Sequence, residues 1–87
     1  MHDRAVMTDL IRHILQAAAE ERARAVTGIS VRLGALSHMT PDHFREHFAE
    51  AAAGTIAAGA AITATVSTDI HDPQAMGVLL EGIEVEA

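Results

Sequence analysis

Residues 26–34 read VTGISVRLG, and residues 37–55 read SHMTPDHFREHFAEAAAGT. The first stretch alternates, with Ile29, Val31 and Leu33 on one side and Ser30 and Arg32 on the other. A period of two marks a strand with one buried face, and Gly34 ends it. The second stretch changes period. Thr40 suits a helix N-cap, Pro41 the first helical position and Asp42 the first turn. Phe44, Phe48 and Ala51 or Ala52 form its apolar stripe, and Gly54 is a natural stop. A half-buried strand followed by an amphipathic helix therefore sets the middle of the chain.

Upstream, Val6, Met7, Leu10, Ile11, Ile14, Leu15 and Ala18 recur at helical spacing. They predict an amphipathic helix that continues through an Ala/Glu/Arg-rich stretch to about Ala25. Asp3 is its N-cap or lies in its first turn, where a carboxylate suits the helix dipole. Downstream, residues 60–68 (AAITATVST) alternate again, with Ile62, Ala64 and Val66 on one face. Residues 70–77 (IHDPQAMG) read as a loop around Pro73. Residues 78–86 (VLLEGIEVE) are a strand whose two halves are out of phase, and a bulge at or near Gly82 repairs this. The order α-β-α-β-β predicts an α+β fold, a two-layer domain with two helices packed on a three-stranded sheet. The last two strands are expected to pair as an antiparallel hairpin across the Pro73 loop.

The chain has 87 residues, which fits one small domain covering 1–87. It is 49% apolar but only 2% aromatic, so Ala, Val, Ile, Leu and Met must fill the core. The net charge of −6 argues against nucleic acid and anionic membrane as partners, because no basic stripe can displace counterions. With no cysteine, disulfides, thiolate catalysis and Cys-type zinc sites are excluded. No signal peptide or membrane-spanning run is expected, which points to the cytoplasm.

The chain begins Met1-His2-Asp3. Histidine at position 2 is too large for methionine aminopeptidase to remove Met1, so the terminal amine is expected to stay beside the imidazole. The amine of Met1 and the backbone nitrogen of His2 close a five-membered chelate ring on a metal. The backbone nitrogen and Nδ1 of His2 close a six-membered ring. These nitrogens lie in one plane, an arrangement that favours Ni(II) or Cu(II) over Zn(II). The fourth position falls to the Asp3 carboxylate, another side chain or water. Binding requires unprotonated donors and so strengthens as pH rises.

The MHD start, VRLGALSHMTPDHFREHF, AGTIAAGAAITA and GIEVE together resemble the HypA/HybF family, the nickel metallochaperones of hydrogenase maturation. Gly34, Leu36, Ser37, Pro41, Phe48, Gly54, Thr55, Ala60, Ile83, Glu84 and Val85 occupy positions of the family pattern. The resemblance implies that the N-terminal amine and His2 are nickel ligands and that Asp3 stands where the family carries Glu. Asp42 likewise replaces Glu at the start of the second helix. It implies Ni(II) as cargo, with a HypB-type GTPase and a hydrogenase large-subunit precursor as partners. The family inserts a zinc module with two Cys-x-x-Cys pairs between its second and third strands. Here a short loop, about 67–77, stands instead, so structural zinc is not expected.

Other constellations are weaker. His43 and His47 are spaced i, i+4 and can form a secondary metal pair, although they are expected on a solvated flank. Asp9 and His13 share an exposed helix face. His38 and His71 fall in turns. No nucleophile–base arrangement or phosphate-binding loop is visible, so catalysis is not expected. Two readings follow: a nickel metallochaperone-like protein serving a nickel enzyme, [NiFe] hydrogenase first, or a zinc-module-free paralogue that keeps the fold as an interaction module. Short sheet edges are compatible with a homo-oligomer.

Overall fold

A computed structural model describes residues 3–87. The elements are α1 (Asp3–Glu20), β1 (Ala25–Leu33), α2 (Pro41–Ala52), β2 (Ala61–Val66) and β3 (Val78–Glu86). The expected α-β-α-β-β order and the two-layer α+β architecture are present. One face of the sheet carries both helices. Met7, Leu10, Ile11, Ile14 and Ala18 of α1 and Phe44, Phe48 and Ala52 of α2 are buried with Val26, Ile29, Val31 and Leu33 of β1. The two Phe rings stack at a centroid distance of 5.9 Å and fill the seam, which otherwise holds only aliphatic, Met and Ala side chains. The opposite face is polar: Arg32 of β1 reaches Glu81 of β3 at 2.7 Å.

The strand order is β2-β1-β3, which corrects the expected β2–β3 hairpin. β1 and β2 are parallel, with Ile29 opposite Ile62 and Leu33 opposite Val66. β1 and β3 are antiparallel, with Leu33 opposite Val78 and Ile29 opposite Ile83. The physical reason lies in α2. A helix between two strands acts as a crossover and returns the chain to run parallel to the first strand. β3 then takes the other edge of β1, the most deeply buried strand, so that both of its ladders are satisfied. The connection at 67–77 is thus not a hairpin tip but a strap across the end of β1. Ser67 N–H donates to Leu33 O at 2.9 Å, Gly34 N–H to Gly77 O at 2.9 Å and Leu36 N–H to Ala75 O at 2.8 Å. Ala75 is buried beneath the strap. Side-chain turns at Ser67, Asp69 and Asp72 shape it.

The bulge expected near Gly82 is present. Gly82 pairs with Ser30 and Leu80 with Val31, which leaves Glu81 as the extra residue. The step brings Val78, Leu80, Ile83 and Val85 all onto the helix-covered face. In β2, Ile62 and Ala64 pack against the core, but Val66 is 49% exposed. It ends an edge strand at the rim of the sheet, which undoes its expected inward placement.

α1 stops at Glu20 rather than near Ala25. Arg22 adopts a left-handed conformation with φ +55°. Ala23 N–H donates to Ala18 O and Arg22 N–H to Ala19 O, each at 3.0 Å. This pair of bonds is the Schellman closure of a helix end, usually built on Gly. With Arg in that place, no glycine announces the stop, and residues 21–24 become the link to β1. α2 starts as expected: Thr40 Oγ1 accepts the His43 N–H at 3.1 Å and Pro41 opens the first turn.

Two substitutions test this frame. A Cβ at Gly34 would lie 2.2 Å from Ala75 O and 2.6 Å from Gln74 O, both backbone atoms of the strap. Gly34→Ala is expected to cost about 1–3 kcal/mol in urea unfolding, the range of forced overpacking. Arg22→Gly removes an exposed side chain and relieves the left-handed residue. It is expected to raise stability by about 0.5 kcal/mol after the added freedom of the unfolded chain is counted, read as a Tm increase of about 2–4 °C.

Candidate metal centre

The topology decides which ends of the helices meet. β1 leads away from the C-terminus of α1 and into the N-terminus of α2, so both helices run counter to it and begin at the same end of the fold. The levels agree. Val6, Asp9 and Leu10 of α1 line a shallow groove with residues 77–80, and Val78 lies opposite Leu33, the last residue of β1. Asp3 is the first residue of α1. Met1 and His2 lie outside the described residues.

His43 and His47 sit on the first two turns of α2. Their Nε2 atoms are 2.6 Å apart and their ring centroids 4.4 Å apart, tilted by 53°. At that distance one Nε2 donates and the other accepts. Both side chains are half-buried, which corrects the solvated flank expected for them. On α2, Phe44 and Phe48 lie between the histidines and Arg45. Arg45 reaches across to Ile62 O of β2 at 3.5 Å. The histidine flank is therefore the one turned toward α1, which packs against α2. Helical spacing gives the shared face and closeness of the two rings, but their half-burial lies outside what a local pattern encodes.

The remaining candidates stay apart. Asp9 is an exposed carboxylate held by Arg12, with His13 Nδ1 at 3.8 Å. Asp42 lies 3.5 Å from the Arg45 guanidinium. His38 and His71 are exposed, the latter with its backbone N–H on Asp69. Among the described residues, no group of three or more His, Asp or Glu side chains is placed to hold one ion. The chemistry available is thus a convergent imidazole pair on α2, at the end of the fold where the polypeptide enters α1.

Comparison with known proteins bears on this end directly. The family profile described as "Hydrogenase/urease nickel incorporation, metallochaperone, hypA" matches residues 1–71. The hydrogenase maturation factor HypA of Archaeoglobus fulgidus is 36% identical over 66 residues, which is 76% of this chain and 60% of that protein. HypA 1 of Bradyrhizobium diazoefficiens is 36% identical over 62 residues, 71% of this chain and 55% of that protein. The matched stretches thus span little more than half the length of these curated relatives. The solution structure of the Ni metallochaperone HypA from Helicobacter pylori superimposes with a TM-score of 0.80 at 16% identity, covering 100% of this chain and 99% of that one, which establishes a shared fold. By the profile match and the identity over most of its length, the chain belongs to the HypA family of hydrogenase and urease nickel-incorporation metallochaperones.

Proposed function

We propose that this protein binds one Ni(II) ion through Met1, His2 and Asp3 and carries it to the maturation of a nickel enzyme, [NiFe] hydrogenase first. The observation that carries the proposal is the profile match, which includes the Met1-His2-Asp3 start. Donor chemistry supports it. An amine, a deprotonated amide and an imidazole supply three coplanar nitrogens, a set suited to Ni(II) or Cu(II). Asp3 is one methylene shorter than the family's Glu and offers a carboxylate at the start of α1. The ion is cargo, and the step is ligand exchange. A site at the entrance to a helix is open to an incoming ligand, so the metal can be passed on without a covalent intermediate on the protein. A HypB-type GTPase and a hydrogenase large-subunit precursor are the partners this reading names, in the cytoplasm.

A second reading rests on the missing cysteines. The strap at 67–77 stands where the family pattern places its zinc module, so structural zinc has no thiolate ligands here. A member without that module can serve as an interaction module without delivering nickel. Pull-down with a HypB-type GTPase separates the readings, because an interaction module binds equally with and without Ni(II).

Calorimetric titration of untagged protein with Ni(II) tests the first reading. The expected result is that His2→Ala, or extension of the N-terminus by two residues, weakens the tightest site at least about tenfold, equivalent to about 1.4 kcal/mol. Unchanged affinity in both forms would remove Met1 and His2 from the site.

A further inference from the structure

The imidazole pair on α2 is more than a hydrogen bond between two surface side chains. The separation of its Nε2 atoms is close to that in a chelate. Two imidazole nitrogens bound to one ion at about 2.0–2.1 Å are separated by roughly 3 Å. The Nε2 atoms of His43 and His47 are 2.6 Å apart, so the rings need to part by only a few tenths of an ångström to admit a metal between them. The backbone beneath them is fixed. The N–H of His43 is itself the one that Thr40 Oγ1 caps, and Pro41 and Phe44 anchor the same turn. Both rings are half-buried, which limits the rotamers they must give up on binding. The ring nitrogens that meet are the outer ones, Nε2, which are the usual metal-binding atoms of helical His pairs spaced i, i+4.

No carboxylate among the described residues closes the site into a cage. Asp42 is drawn toward Arg45 on the far flank of the helix. The pair gives the site two imidazole donors. Its ligands are neutral nitrogens, so it selects late first-row divalent ions over Mg(II) or Ca(II).

We infer that His43 and His47 form a second, bidentate metal site for the same class of ion that the N-terminus is proposed to carry. The site lies at the end of the fold where α1 begins, so an ion can be held at two neighbouring places. Only this pairing with the terminal site rests on the proposed function above. The chelating pair rests on its own geometry.

Ni(II) titration of the full chain, in native form and with the N-terminus extended by two residues, is the test. The native chain is expected to take up two equivalents and His43→Ala/His47→Ala one. The extended chain is expected to keep one weak equivalent, lost in the double variant. Circular dichroism of the variants checks that α2 is intact. A second measurement needs no substitution: Zn(II) added to the extended chain is expected to shift the side-chain 15N resonances of both histidines. If the extended chain binds no Ni(II) and Zn(II) leaves those resonances in place, the inference is overturned while the terminal site stands. If extension leaves the tightest binding unchanged and the double variant abolishes it, the terminal reading fails and the pair is the metal site.

Discussion

The pairing of β1 on both of its edges is the constraint on which this fold depends. β1 holds a parallel ladder to β2 and an antiparallel ladder to β3. Its inward residues Ile29, Val31 and Leu33 are buried under both helices. A strand in that position dictates the course of everything around it. α1 must return against it from the side of β3, and α2 must cross over it to β2. The two helices consequently start side by side, and their seam is filled by Phe44 and Phe48. The strap at 67–77 follows from the same constraint. β2 ends and β3 begins on either side of the last residue of β1, so the chain has to pass around that end. It does so in contact with Gly34, the one residue small enough to lie against the strap backbone.

Much of this was legible from local pattern. The stripe of α1, the alternation of β1, the Thr40 cap with Pro41 and the phase break near Gly82 each carry a signal within a few residues, and each is found in place. What was not legible is nonlocal or lacks its usual residue. The choice between pairing β3 with β2 or with β1 depends on which edge of which strand is left open, and alternation within β3 is the same for both. The end of α1 was missed because its left-handed closing residue is Arg22, where a glycine would have flagged it. Spacing on α2 places the rings of His43 and His47 together but does not by itself half-bury them. Donor chemistry and resemblance point to Met1 and His2, which lie outside the described residues.

The fold is shared with a protein of very different sequence, for a physical reason. The superposition on the Helicobacter pylori protein is close at only 16% identity. A core of Ile, Val, Leu, Met and Ala tolerates exchange among residues of similar volume so long as the inward positions stay apolar. The positions of this chain least free to change are those where backbone meets backbone or where a helix must start. Gly34 is of the first kind and Thr40 with Pro41 of the second. All three belong to the connection between β1 and α2, and so to the end of the fold that carries the histidine pair.

That end is electrostatically unusual for a cation. Two helix N-termini lie there together, and each carries a partial positive charge of about half an elementary unit. Simple charge attraction would favour an anion in such a place. A hard ion, held by carboxylates through attraction between charges, would therefore be opposed by the fold. An ion bound through directed nitrogen bonds meets the same field, and stronger ligand bonds have to offset it. The available groups follow this logic. The rings of His43 and His47 meet through nitrogen, while Asp42 in the first turn of α2 sits near Arg45 and away from the pair. The two helix starts set the same charge penalty for any divalent cation, so a metal held at this end would depend on the strength of nitrogen ligation to offset it.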